Sequence, residues 1–297
     1  MMDIKYLILS SGGPALLNQL GALSLFVEKK YIEYEKIQSI YSCSSGAFIA
    51  VLFYLNIDID EIIEYFIERP WNKLFDVNLT NMINIYSEMG LFDINTFKSA
   101  FDPLFKIKNL NTNITFKEFY EYNKKDLYIF ATNHETFEST VFSHKNTPDV
   151  SLMEALYMSC TVPFILKPLK HKNSYHVDGV YTARFPIKSF LKDNPDVDLN
   201  EVFGMYLKSK KKMEKKETIK HNFLSFHLDI IIKLLSKNNE EDYSILDTFN
   251  HICCLVVSGD YSIDYVYDFI NNSQKRKSII NEGYSQANIF LMNKYNL

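Results

Sequence analysis

Three short stretches carry residue types that could do chemistry. The first is Ser42-Cys43-Ser44-Ser45-Gly46, a small polar cluster between the runs IQSIY and AFIAVLFYL. Acyl-transfer enzymes put a nucleophilic serine on a tight strand-to-helix turn, where the hydroxyl projects above the sheet and the next backbone N–H faces the developing oxyanion. Ser44 holds that position, with Ser42 where the G-x-S-x-G pattern has its first glycine and Gly46 where it has its second. The second stretch is Gly12-Gly13 in SSGGPALLNQLG, a turn whose paired N–H groups suit a phosphate or an oxyanion. The third is Asp178-Gly179 in YHVDGVYTARFP, a carboxylate at the end of a strand-like run. Each has a plainer structural role. Ser44 or Ser45 could cap a helix, and both glycine-containing pairs could be ordinary turns. A Gly-rich turn upstream of a strand-serine-helix turn is more informative than either alone.

The elements that must position these residues alternate along the chain. Residues 5–10, KYLILS, read as a short buried strand, and GGP opens the helical stretch ALLNQLGALSLFVEKK with Pro14 near its first turn. A second strand is predicted at 37–42, helices at 45–55, 58–68 and 151–159, and further strands at 127–132, 174–178 and 201–207. This alternation predicts an α/β fold with a largely parallel sheet. Ser44 then falls at a strand–helix junction. Asp178 falls at the sheet edge, where the sites of such folds collect.

Composition narrows the classes further. The 297 residues are 47% apolar with a net charge of -4, which gives no general attraction to nucleic acid. Cys43, Cys160, Cys253 and Cys254 show no C-x-x-C spacing, so neither a zinc site nor a disulfide framework is expected, and a reducing, intracellular compartment fits. The apolar run near the N-terminus is too short for a signal peptide, and the longest runs, Ala47 to Leu55 and Phe223 to Leu235, fall below the roughly 18–20 residues that span a bilayer. Nucleotide binding at Gly12-Gly13 lacks the lysine and metal-binding carboxylate it would need.

Taken together and in order, the three stretches resemble the patatin-like phospholipase family. LILSSGGPALLNQLGAL is similar to that family's glycine-rich opening, with Ser11 for the first glycine, Gly12 and Gly13 kept, and Gly21 and Leu23 in place. Ser42 to Gly46 fills the nucleophile position, and Asp178-Gly179-Val180 with Phe185-Pro186 fills the aspartate position. TPDVSLMEALYMSCTVPFILKP, residues 147–168, resembles the family's S-x-x-x-P segment ahead of that aspartate. The resemblance spans residues 4–208. It departs at Ala15 and Leu16, where a basic residue and a glycine are usual, and at Arg184, where asparagine is common.

The resemblance implies a three-layer α/β/α fold with a mostly parallel central sheet. It also implies a lipid acyl hydrolase working through a Ser44–Asp178 dyad, with Gly12, Gly13 and Ser45 N–H groups as oxyanion hole, Gly46 and Gly179 in support, and no metal or cofactor. An aspartate with a reference pKa near 3.9 is a weak base, so its site should be desolvated. The expected partners are a phospholipid or other lipid ester and, peripherally, a membrane surface. Three rivals stand beside this reading: a Ser-His-Asp triad drawing on His176, His221, His227 or His251; Cys43 as nucleophile; and a lapsed enzyme that binds lipid, motivated by the departures. The expected organisation is a catalytic domain over 1–208, a charged loop over 209–220 and a helical extension over 221–297 packed on the same domain. The lysine run KSKKKMEKKE with the apolar helix after it could dock on a membrane or be a solvated loop and a core helix. Trp71 could be an interface anchor or core.

Overall fold

Apolar runs too short for helices become the strands at the centre of the molecule. The computed structural model describes residues 3–76, 87–209, 248–258 and 263–295, together with Ile85, Phe226, Ile230 and Leu246. In chain order the elements are β1 (Tyr6–Leu9), a 3-10 turn (Gly13–Ala15), α1 (Leu16–Glu28), β2 (Ser39–Cys43), α2 (Ser45–Tyr54), α3 (Ile59–Glu68) and α4 (Trp71–Leu74). Next come β3 (Gly90–Phe92), α5 (Ile94–Ile107), α6 (Phe116–Asn123), β4 (Asp126–Asn133), β5 (Ser139–Phe142), α7 (Leu152–Ser159), β6 (Phe164–Leu166), β7 (Leu169–His171) and β8 (Ser174–Asp178). The chain continues with α8 (Val180–Ala183), α9 (Ile187–Asp193), β9 (Val202–Ser209), β10 (Ile252–Val257), α10 (Ile263–Asn271) and α11 (Ser273–Tyr295).

Strands β10, β9, β1, β2 and β4 pair in that order, all parallel. A parallel strand is covered on both faces, which is why SIYSC of β2 is buried at every residue rather than alternating. Helices flank both faces of the sheet. One face packs against α1, α2, α7 and their neighbours; the other carries a smaller core of Ile8, Tyr41, Phe130, Phe185 and Phe190. The parallel order ends at β4, where β5 and β8 both join antiparallel.

The two antiparallel partners do not share an edge. Ile129 and Phe130 pair with Ser42 and Cys43 of β2 on one edge and with Phe142 and Val141 of β5 on the other. Ala131 and Thr132 keep β5, at Thr140 and Ser139, and pair with Asp178 and Val177 of β8. A strand has two edges, so β8 occupies the edge that β2 has just left. The two strands run head-on toward each other along β4.

The helical extension expected over 221–297 also contributes a strand. ICCLVV, rich in β-branched residues, pairs with β9 and extends the sheet. Helix α11 lies along α1, with Asn18 Nδ2 donating to Ile279 O at 3.1 Å. The lysine run from residue 210 onward and the apolar helix expected near 223–235 lie outside the described residues, apart from Phe226 and Ile230. Trp71 is core: it is buried, stacks on Phe66 at 5.4 Å and donates Nε1–H to Phe66 O at 2.9 Å.

Candidate active site

The head-on meeting of β2 and β8 brings Ser44 and Asp178 together. Cys43 pairs with Phe130, so Ser44 would face Ala131 if β2 continued; Asp178 already fills that place. Ser44 instead turns off the sheet with φ 51 and ψ -120, a left-handed backbone that a serine adopts only when its surroundings impose it. Helix α2 begins at the next residue. Ser44 Oγ donates to Asp178 Oδ2 at 2.7 Å, and both side chains are buried.

Close packing makes the turn possible. A Cβ at position 46 would stand 2.4 Å from Leu9 O, and one at 179 would stand 2.2 Å from Phe130 O. Both motif glycines are therefore needed to let backbones approach. The missing first glycine is accommodated: Ser42 lies flat in β2 and its hydroxyl donates to Tyr128 O at 3.1 Å.

Ser159 closes the gap where the ladder breaks. Its hydroxyl accepts the Ser44 N–H at 2.8 Å and donates to Phe130 O at 2.6 Å, bridging two groups that a longer β2 would have paired directly. Its carbonyl accepts the Gly179 N–H at 3.2 Å. One residue thus ties the serine turn, β4 and the aspartate turn. The S-x-x-x-P pattern drew attention to this segment, but its spacing alone carries no hint of that role.

Burial pushes the Asp178 carboxyl up to about 7, against the opposing pull of the bonds from Ser44 and from Val180 N–H. The Val180 N–H reaches Oδ1 at 2.8 Å, and Thr132 Oγ1 donates to Asp178 O at 3.0 Å, so the carboxylate and its backbone are held in place. The neighbouring thiols are poor rivals. Cys43 is fully buried among the residues of the opposite core, and burial raises both it and Cys160.

The glycine turn stands beside the serine turn, at the ends of adjacent strands β1 and β2. Gly13 has φ 52 and opens the 3-10 turn, so its N–H has no acceptor within that turn. The loop is tied down on three sides: Gln19 Nε2 donates to Ser10 O, Leu207 N–H to Ser10 Oγ, and Ser11 N–H to Arg184 O, all at 2.9 Å. The Arg184 guanidinium donates to Leu207 O at 2.8 Å, and the Leu207 side chain packs under Gly12. The Ser45 N–H is the first of the α2 N-terminus, where no intrahelical acceptor exists.

Of the candidate histidines, the two among the described residues bond elsewhere. His176 is buried with Nε2 against Thr140 Oγ1 and Nδ1 against Ser174 O, both at 3.1 Å. His251 is bound to Tyr31 and Lys294. His221 and His227 lie outside the described residues. Among the described residues, no cluster of three or more His, Cys, Asp or Glu side chains could hold a metal ion, and no helix is long and apolar enough to cross a membrane.

A strand-to-helix serine turn at the carboxyl edge of a parallel sheet, faced by a buried carboxylate, defines a class of α/β protein in which site and fold are inseparable. Comparison with known proteins names the family. The patatin-like phospholipase model matches residues 7–191, and the chain belongs to that family. It is 28% identical over 190 residues to a probable lipid hydrolase of Invertebrate iridescent virus 6, covering 63% of each chain. It is 27% identical over 203 residues to an uncharacterized protein of Acanthamoeba polyphaga mimivirus, covering 68% of this chain and 65% of the relative. The matches thus span just under two thirds of these relatives' length. VipD from Legionella pneumophila shares the fold with a TM-score of 0.56 at 15% identity, over 98% of this chain and 67% of that one.

Proposed function

We propose that the protein is a lipid acyl hydrolase that cleaves fatty-acyl esters through Ser44 and Asp178. The observation that carries the reading is the 2.7 Å bond from Ser44 Oγ to Asp178 Oδ2 at a strained, buried junction of two strands. Family membership and the viral relative described as a probable lipid hydrolase support the substrate class.

In this reading Asp178 takes the Ser44 proton as Oγ attacks the ester carbonyl. The N–H groups of Gly12, Gly13 and Ser45 hold the oxyanion, assisted by the positive end of α2. Asp178 returns its proton to the leaving alcohol, leaving an acyl ester on Ser44. Water, activated by the same carboxylate, then releases the fatty acid. An aspartate lifted to about 7 has the affinity for a proton that an ordinary carboxylate lacks, and it must be ionised to act.

Hydrolysis of a short soluble ester and of phosphatidylcholine vesicles tests the reading. Wild type should release acid from both, and Ser44→Ala should release it from neither. Activity that survives Ser44→Ala would remove Ser44 from the mechanism and the dyad with it.

A further inference from the structure

The β4–β5 hairpin presents an apolar side chain that folding does not explain. Phe137 is 60% exposed, the most exposed phenylalanine among the described residues, and has φ 56. A bulky aromatic in left-handed backbone is an outlier. The tip is nonetheless built: Asn133 Oδ1 accepts from Glu135 and Thr136 N–H at 2.9 and 3.2 Å, and Phe137 N–H donates to Asn133 O at 2.9 Å. The strain holds a phenyl ring out in water rather than against a core.

Its position follows from the sheet. β4 runs parallel to β2 and continues past the level of Ser44, so its hairpin rises from the edge where the dyad lies. The β7–β8 hairpin rises beside it, joined by His134 N–H to Tyr175 O at 2.9 Å and Tyr175 N–H to Glu135 Oε1 at 3.1 Å. Phe137 packs on Tyr181 at 6.1 Å, and Tyr181 sits three residues beyond Asp178. An exposed ring therefore connects through one half-buried ring to the turn that carries the carboxylate.

We propose that the paired hairpin tips, led by Phe137, are the surface that enters a zwitterionic lipid layer and brings its esters to Ser44. The charge around the tips fits that occupant. Exposed Lys170 and Lys172 on the β7–β8 hairpin are matched in number by exposed Glu135 and Glu138 on the β4–β5 hairpin, so the rim offers both signs to a headgroup that carries both. The ring reaches the acyl boundary while these charges stay among headgroups. The proposal rests on the acyl-hydrolase reading for what is cleaved, though not for the contact with the surface.

The test uses the full chain with Phe137→Trp, Phe137→Ala and Phe137→Asp and phosphatidylcholine vesicles. Trp71 is buried, so the new indole reports on the tip. Its emission should shift to the blue on adding vesicles. The vesicle rate should fall by roughly ten- to a hundredfold for Phe137→Asp and somewhat less for Phe137→Ala, relative to the soluble-ester rate of the same variant. An unshifted indole with vesicle rates kept in Phe137→Asp would overturn the proposal while leaving the hydrolase reading intact. A wild-type dimer that Phe137→Asp splits, again with no shift, would assign the tip to a second copy and overturn it equally. A wild type that cleaves no ester while the indole still shifts would retain the surface and reject only the hydrolase.

Discussion

Ser44 and Phe137 stand at the same edge of the sheet, both with positive φ, 51 and 56, and are otherwise opposites. Ser44 is 5% exposed, with its N–H and its hydroxyl both bonded; Phe137 is 60% exposed, and its ring lies 6.1 Å from that of Tyr181. Both conformations cost on the order of 1–3 kcal/mol. At Ser44 the surroundings determine the strain: two strands collide, Ser159 bridges the gap, and the hydroxyl has one carboxylate to meet. At Phe137 the positive φ closes the hairpin, with the Phe137 N–H on Asn133 O at 2.9 Å, while the ring stays largely in water. Ser44 is thus held for a molecule bound in the site, and Phe137 is held out toward a surface.

The largest expected effect separates the two positions outright. Asp178→Asn should lower turnover on a soluble ester by about a thousandfold or more, as Ser44→Ala should, because the serine loses the base its hydroxyl is bonded to. Steady-state assays of purified variants check this; a loss below tenfold would mean another group takes the proton.

The same substitution should raise stability. A carboxyl held near 7 when folded and near 3.8 when unfolded binds its proton more tightly in the native state, so stability falls as pH rises between those values. The accumulated penalty is about 4 kcal/mol above pH 7. Asparagine removes it. Asp178→Asn should therefore melt several degrees above wild type at pH 8, with the gain shrinking toward pH 4, and scanning calorimetry at both values checks the sign. Wild-type kcat/KM should rise through about pH 7 as Asp178 ionises.

Ser159→Ala should cost about 1–3 kcal/mol in stability, because it leaves the Ser44 N–H and Phe130 O buried without a partner. Turnover should fall with it, by about tenfold, since the turn is no longer held. The smallest effect compares the strained pair directly. Glycine should be more stable than alanine by about 1 kcal/mol at position 44 and by a similar amount at 137, because glycine relieves the left-handed backbone at both. Chemical denaturation of the four variants measures this, and alanine matching glycine at either position would show that no strain resides there.

Much of this was legible in the sequence. The apolar runs ending at Ser10 and Ser42, each followed by small residues and a helical pattern, placed β1 and β2 and hence both turns of the site. Ser44, Asp178, Gly12 and Gly13 stand together because their flanking elements were readable. The rest is long-range. Nothing local shows that β8 arrives head-on to β2, since that depends on β4 having one edge to share. Ser159 was visible only as part of a pattern, because its partners are 115 and 29 residues away. Strand β10 is hard to read locally because an apolar run of six looks alike as strand or helix. Phe137 gave no signal, as phenylalanine is among the last residues expected at positive φ.

If the β2–β8 junction activates one serine, that serine should react with a fluorophosphonate probe in the folded protein, and mass spectrometry maps the adduct. A single adduct should form on Ser44, absent in Ser44→Ala and strongly reduced in Asp178→Asn. No adduct on a protein shown to be folded, or an adduct on another residue that persists in Ser44→Ala, would contradict that activation.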